Sequence, residues 1–308
     1  MLRAFFVGLS ENSALRGFAE RSSIGRRVSG RFVAGTGIED AVRATQAINR
    51  AGMSVTIDNL GENVTNPDEA RHSAQLYDQI LDAIVANHLN ANISLKLTHM
   101  GLDVDEALAR NIVSGLVAKA ASMNPPGFVR VDMEGSPYTQ RTLDFVHELH
   151  RIPGNANAVG TVIQAYLKRS ESDIEKLLSE GIRIRLCKGA YKESADIAFA
   201  AKSDVDANYV ELMKILLKSG IYHGLATHDQ NIIREAEAFA RREKLSPDSF
   251  EFQMLYGFRR DLQQSLVRSG WRVRVYIPFG SEWYPYFMRR LGERPANVLF
   301  ILRNLLRS

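Results

Sequence analysis

A single α/β domain closing into a distorted, TIM-like (β/α)8 barrel is the fold that this sequence predicts, on three observations. Strand-like and helix-like runs alternate from residue 54 onward, with eight strands in all. Several helical runs open on acidic, Ser, Thr or Asn residues and stop just before a glycine, as at Gly181, Gly220 and Gly270. The length of 308 residues is close to one barrel of roughly 250 residues plus an extension. Alternation argues for a parallel sheet and eight units argue for closure, with a doubly wound open sheet as the alternative. No linker or composition break divides the chain. One domain over 1–308 is therefore expected, with a helical arm at 1–50 and the barrel at 51–308.

The arm comes first. Residues 1–35 carry Arg3, Arg16, Arg21, Arg26, Arg27 and Arg31 against Glu11 and Glu20. That composition also suits a mitochondrial transit peptide. Because it merges smoothly into structured sequence, the preferred reading is a pair of short helices, then a helix over 37–51. Strands follow at 54–59, 92–97, 128–134, 158–166, 183–188, 222–227, 250–256 and 272–277. Helices lie between them at 68–88, 103–121, 139–150, 171–179, 205–218, 231–244 and 259–268. A final helix starts at Ser281, a capping residue, with Pro285 within about its first turn, where a missing N–H costs little. At helical spacing Tyr286, Arg289, Arg290 and Glu293 share one broad face.

Composition narrows the function. Hydrophobic residues make up 45% of the chain, ample for a sizeable core. The net charge of +4 comes from 39 basic and 35 acidic residues with no long basic block, so nucleic-acid binding gains little support. An anionic substrate, a phosphate-bearing cofactor or an acidic membrane surface fits equally well. Cys187 is the only cysteine, which rules out an intrachain disulfide and suits a reducing compartment. No run of about 18 apolar residues is present, so no transmembrane helix is expected. The opening stretch does not read as a secretory signal.

In a (β/α)8 barrel the chemistry gathers where strands end. The polar residues at those ends are Asp58, Asn59, Lys96, Asp132, Glu134, Gln164, Arg185, Lys188, Thr227, His228, Gln253 and Tyr276. Any one of them could be a buried polar group satisfied by neighbours; so many at equivalent positions point to a site. Strand alternation puts Arg183, Arg185 and Cys187 on one face. Facing inward, the arginines need anions from a cofactor or from Asp132 and Glu134. Gly189 lets backbone approach a ligand, and Lys188 can meet a phosphate. The blander reading is an edge strand with exposed arginines. Arg289 and Arg290 beside aromatic rings suit a small apolar molecule bearing a carboxylate, against a solvated basic helix as the alternative. Gly35-Thr-Gly37 imitates half a dinucleotide fingerprint but lacks its third glycine. His147 and His150 read as a surface pair and Cys187 as a small core residue.

These motifs together resemble the proline dehydrogenase family. The helix bearing Tyr286, Arg289, Arg290 and Glu293 is similar to one that grips the substrate there. Val131-Asp132-Met133-Glu134 looks like its third strand, and the run from Gly160 through Gln164 to Tyr166 like its fourth. Arg185-Leu186, followed by Lys188-Gly189-Ala190-Tyr191, matches the fifth, Ala226-Thr227-His228-Asp229 the sixth, and Glu251 to Gly257 the seventh. The resemblance runs from about residue 40 to residue 300. Cys187 stands where an aliphatic residue is expected, and Lys192 where some relatives carry an aromatic.

The resemblance implies an enzyme that binds FAD and oxidises L-proline to 1-pyrroline-5-carboxylate, the first step of proline catabolism. Electrons would pass to a membrane quinone. It places Arg185 against the flavin, Lys188, Gly189 and Ala190 along the cofactor's phosphate side, and Thr227 and His228 at its phosphate or adenosine half. Met133 and Gln164 contact the isoalloxazine. Arg289 and Arg290 take the proline carboxylate with Lys96 nearby, and Tyr276 walls the pyrrolidine ring. Asp132 and Glu293 hold these groups in register, with Asp132 also a candidate proton acceptor. The final helix closes over the active site. The expected location is cytoplasmic, peripheral on the inner face of the cell membrane, with a mitochondrial one as the alternative; a homo-oligomer is left open. A Schiff-base lyase or aldolase using Lys96 or Lys188 is the competing enzyme class. A membrane-recruited binding module is the non-enzymatic one.

Overall fold

The computed structural model describes residues 30–293, and side chains as far as Met288. Helix α1 (Ile38–Arg50) leads into strand β1 (Ser54–Asn59). There follow α2 (Pro67–Ala86), β2 (Ala91–Leu95), α3 (Glu106–Ser122), β3 (Val129–Val131), α4 (Ser136–Arg151), β4 (Val159–Gln164) and α5 (Ser170–Ser179). The second half comprises β5 (Arg183–Cys187), α6 (Lys202–Lys218), β6 (His223–Ala226), α7 (Gln230–Arg242), β7 (Phe250–Leu255), α8 (Arg260–Arg268), β8 (Val273–Phe279) and α9 (Trp283–Glu293). The eight strands form a closed barrel in chain order, which excludes the open sheet. Closure joins β1 to β8 in parallel, from Ser54 opposite Arg274 to Asn59 opposite Phe279.

The strand sequences explain the layering. One set of alternate residues, including Val55, Ile57, Ile93, Leu95, Val129, Val131, Ile184, Leu186, Phe252 and Val275, is buried among the helices in one continuous apolar core. The other set faces the barrel axis and is largely polar: Thr56, Asp58, Ser94, Arg130, Asp132, Gln164, Arg185, Glu251, Gln253 and Tyr276. Charges enclosed this way require partners. Arg274 Nε donates to Glu251 Oε1 at 2.6 Å, and the Tyr222 hydroxyl donates to Glu251 Oε2 at 2.8 Å. Arg130 Nη1 donates to the carbonyls of Thr161 and Arg183 at 2.8 and 2.7 Å.

Two glycines make room for these long side chains. A Cβ at Gly160 would lie 2.3 Å from the Arg183 carbonyl oxygen, and one at Gly224 would lie 2.2 Å from Gln253 Nε2. Neither position tolerates a side chain while the polar interior keeps its arrangement.

The element bounds differ from expectation chiefly at strand ends. β3 stops at Val131 rather than 134, although the Asp132 amide still donates to the Leu95 carbonyl at 2.8 Å. β8 continues to Phe279 because Asn59 and Phe279 remain in register. α9 begins at Trp283, so Ser281 lies outside it as a turn residue. The α9 rings of Trp283, Tyr284, Tyr286 and Phe287 bury themselves with Phe32, Val33, Leu60 and Phe258. Backbone bonds tie the incoming chain to β8, from Ala34 N to Pro278 O at 2.9 Å and from Gly280 N to Gly35 O at 3.0 Å. This second cluster anchors α9 beside the C-terminal mouth of the barrel. The expected pair of short helices within residues 1–35 lies almost wholly outside the described residues.

Candidate active site

A cavity of about 450 Å³ opens at the C-terminal ends of the strands. Its lining draws Asp58, Lys96, Asp132, Gln164, Arg185, Gln253 and Tyr276 from successive strands or the loops just after them. Apolar Leu60, Met133, Val162, Met254 and Leu255 fill the spaces between them, and Tyr286 reaches in from α9. Polar groups on an apolar background are the usual makeup of a small-molecule site.

Arg185 is the centre of the polar floor. It is buried, with 6% exposure, and its guanidinium crosses the barrel to β1, β2, β7 and the residue just after β3. Nε donates to Gln253 Oε1 at 2.5 Å, Nη1 to Asp132 Oδ1 at 2.7 Å and to Ser94 Oγ at 3.3 Å, and Nη2 to Thr56 Oγ1 at 3.5 Å. Asp132 is fully engaged. Its Oδ1 also accepts from Ser94 Oγ at 2.6 Å, and Oδ2 accepts from the Tyr276 hydroxyl at 3.1 Å. The Tyr276 ring centroid lies 5.3 Å from the Arg185 guanidinium carbon, a cation–π contact inside the barrel. Burial raises the Tyr276 pKa well above the ordinary phenol range, so its hydroxyl stays protonated.

Three further ionisable groups surround the cavity. Asp58 accepts from the Tyr77 hydroxyl at 3.1 Å and is buried, which raises its pKa from 3.8 to about 6 despite Lys96 and the tyrosine hydrogen bonds. Glu134 accepts from Thr98 Oγ1 at 2.8 Å, and burial raises it from 4.5 to about 7 against that bond and Lys96. Lys96 Nζ lies 3.3 Å from Glu62 Oε2 and 3.4 Å from the Gly61 carbonyl. One ammonium therefore serves several carboxylates at the rim.

The loop after β5 forms another wall. Gln164 Nε2 donates to the Glu134 carbonyl at 2.9 Å, while its Oε1 lies 3.4 Å from the Ala190 amide. Gly189 has φ +117, and a Cβ there would lie 2.2 Å from the Tyr166 ring. Only glycine fits that turn. Lys188 lines the cavity, and its Nζ contacts Asp206 Oδ1 at 2.5 Å and Asp229 Oδ2 at 2.8 Å.

Most of the sequence-selected residues converge: Lys96, Asp132, Met133, Gln164, Arg185, Lys188, Gly189, Ala190, His228 and Tyr276 all line the one cavity. Thr227 is not among the lining residues; its hydroxyl accepts from the Asp229 amide at 3.1 Å and shapes the turn into α7. His228 Nε2 accepts from the Leu255 amide at 3.0 Å, which fixes the ring beside β7. Arg289, Arg290 and Glu293 lie in α9, but their side chains fall outside the described residues. Sequence reasoning gave no role to Asp58 or Gln253, although both stood among the polar strand ends. Ser94 was missed, though it lies two residues before Lys96 on the same face of β2. Nothing in the sequence marked Tyr77, whose hydroxyl arrives from α2.

Among known proteins, the profile of the proline dehydrogenase family matches residues 41–303. The chain belongs to the proline dehydrogenase family. Proline dehydrogenase 1 of Bacillus subtilis strain 168 is 41% identical over 309 residues, covering 100% of each chain. The proline dehydrogenase of Deinococcus radiodurans is 40% identical over 281 residues, covering 90% of each. A solved structure of proline utilization A from Bdellovibrio bacteriovorus, inactivated by N-propargylglycine, shares the fold. Its TM-score is 0.83 at 23% identity, over 94% of this chain and 36% of that one. As a proline dehydrogenase the chain is an oxidoreductase, and the strand-end network around the cavity is its candidate machinery.

Proposed function

We propose that this chain binds FAD and oxidises L-proline to 1-pyrroline-5-carboxylate, the first step of proline catabolism, and that electrons leave to a membrane quinone. The observation that carries the reading is the Arg185–Asp132–Tyr276 network on the floor of a cavity flanked by Met133, Val162, Met254 and Leu255. A flat, partly apolar ring system with a polar edge fits such a lining. The Ala190 amide donates to Gln164 Oε1 at 3.4 Å in the cavity wall, and Gly189 keeps that backbone close to the cavity. Thr227 and His228 follow β6 on the side proposed for the phosphate or adenosine half. Lys188 would meet a phosphate only by releasing Asp206 or Asp229.

Bound flavin supplies a two-electron acceptor for the hydride leaving the carbon beside the ring nitrogen of the substrate. The protein residues supply position and charge. Arg185 holds a buried positive charge where negative charge develops on the acceptor, and it needs no reorganisation because Asp132 and Gln253 already fix it. Tyr276 walls the pyrrolidine ring. Arg289, Arg290 and Lys96 take the carboxylate, with Glu293 holding the arginines from the same helix. The aromatic side of α9 keeps water from the mouth. A lysine Schiff base is less well supported, because both candidate lysines are engaged in ion pairs with carboxylates.

No helix among the described residues is long and apolar enough to cross a membrane. The reading therefore has the chain meeting the inner face of the cell membrane peripherally, through the Arg-rich first 35 residues. The test is to follow reduction of a short-chain quinone by L-proline and partition between anionic vesicles and solution. Quinone reduction together with salt-sensitive vesicle binding is expected. No reduction and no salt-dependent partition would overturn the electron-delivery part.

A further inference from the structure

A secondary ammonium cannot release a hydride from the carbon beside its nitrogen until the nitrogen has lost a proton and its lone pair is free. L-Proline carries that extra proton at neutral pH, so the cavity must contain a place for it. Among the described residues three carboxylates line the cavity: Asp58, Glu62 and Asp132. Asp132 Oδ1 is taken by Arg185 and Ser94 and its Oδ2 by Tyr276. Glu62 is paired with Lys96 at 3.3 Å. Among the described residues no cation stands within ion-pair distance of Asp58, which is buried with 3% exposure.

Resting on the reading of the site as an L-proline oxidase, we infer that Asp58 is the proton acceptor for the substrate amine, with the Tyr276 hydroxyl as its hydrogen-bonded neighbour. The geometry accommodates the proton without leaving a buried group unsatisfied. The Tyr276 hydroxyl is shared between Asp132 and Asp58. While Asp58 is ionised it accepts from Tyr77 and from Tyr276. Once Asp58 is protonated, its O–H donates to the Tyr276 oxygen, and the Tyr276 hydroxyl keeps its proton and donates it to Asp132 Oδ2. The balance is simple. The N–H bond breaks and its electron pair stays on nitrogen, the proton forms an O–H bond on Asp58, and the hydride lost from carbon would pass to the flavin of the proposed function, leaving an iminium. Asp58 returns its proton to water when the product leaves.

The groups facing Asp58 set when it can act. Lys96 after β2 favours the carboxylate, Asp132 after β3 opposes it, and the hydroxyls of Tyr276 on β8 and Tyr77 on α2 stabilise it. Burial outweighs these and leaves a pKa of about 6, against an ordinary 3.8. The group is therefore ionised at neutral pH yet about a hundredfold better as a proton acceptor than a solvent-exposed aspartate.

The experiment compares the pH dependence of kcat/KM for L-proline in the wild-type holoenzyme and in Asp58→Asn. Wild type should lose activity as pH falls through about 6 and reach a plateau above it. Asp58→Asn should be slower by about 10²–10³-fold near pH 7 and rise tenfold per pH unit, because only amine already neutral in solution can react. A second variant guards against simple misfolding. Tyr77→Phe removes a hydrogen bond to the ionised form and should move the acidic limb to higher pH. Infrared difference spectra on adding L-proline should show a protonated-carboxyl band that Asp58→Asn lacks. A flat Asp58→Asn profile within about threefold of wild type, or an unmoved limb in Tyr77→Phe, overturns the role of Asp58 while leaving L-proline oxidation intact. Failure of wild type to oxidise L-proline at any pH overturns both.

Discussion

Arg185 Nη1 and Asp132 Oδ1 lie 2.7 Å apart on the barrel floor, and this pair couples β5 to β3 beneath the cavity. The same guanidinium reaches Gln253, whose Nε2 donates to Glu251 Oε1 at 2.6 Å, and Glu251 in turn accepts from Arg274. Hydrogen bonds thus run from the base of the barrel to its mouth through side chains that also brace the strands. The network serves both stability and the site.

Truncating Asp132 should show that double duty. Asp132→Ala leaves Arg185 buried without its carboxylate, which is expected to cost about 3–5 kcal/mol of stability. Asp132→Asn keeps an acceptor for Nη1 and should cost less. Denaturant midpoints of the two variants check this, and an Ala variant as stable as Asn would show that water replaces the carboxylate freely.

Glu134 gives a stability effect that depends on pH. Its folded-state pKa, raised from 4.5 to about 7, means that the folded chain holds this proton more tightly than the unfolded chain. Its contribution to stability is complete below pH 4.5 and lost as pH rises through about 7. Glu134→Gln removes the penalty of about 3 kcal/mol at pH 8. The difference in Tm between Gln variant and wild type should therefore grow in favour of Gln from pH 5 to pH 8. A constant difference would contradict the burial argument.

The barrel was legible in the sequence because its outer strand face is almost uninterrupted Val, Ile, Leu and Phe, while turn glycines punctuate the helices. The strand-end residues were legible because alternation puts Asp132, Arg185 and Tyr276 on the axial face, and the matched motifs strengthened that placement. The pairing between them was not. Whether Lys188 meets Asp206 and Asp229, or Tyr77 meets Asp58, depends on contacts across 18 to 41 positions of chain that no local pattern encodes. The helix start at Trp283 rather than Ser281 has the same origin: the rings of α9 are placed by packing on Phe32 and Phe258, and packing overrides the capping signal.

The paired arginines of α9 are expected to act on substrate and not on cofactor. Arg289→Met or Arg290→Met should raise KM for L-proline by about tenfold or more, from the loss of a charge-assisted contact of about 1.5–3 kcal/mol. The visible spectrum of the bound cofactor should not change. Unchanged KM in both variants would mean that α9 does not grip the substrate.

Tyr276 should set the choice between ring-substituted substrates. Its ring is fixed by Arg185 and its hydroxyl by Asp132, so a C4 hydroxyl on the substrate would meet an aromatic wall or lack a partner. That costs roughly 1–3 kcal/mol, a clear preference for L-proline over trans-4-hydroxy-L-proline. In Tyr276→Ser the preference should shrink, mainly through lost efficiency with L-proline. Values of kcat/KM for both substrates in both proteins decide it; equal efficiencies in the wild type would refute the argument.

The central claim is that the cavity around Arg185 holds a flavin which L-proline reduces. It is tested most directly by recording the visible spectrum of the purified protein, reconstituted with FAD, before and after anaerobic addition of L-proline. The expected result is a bound-flavin spectrum that bleaches with L-proline and recovers when a quinone is admitted. A colourless protein that does not take up FAD, or a flavin spectrum indifferent to L-proline, would contradict it.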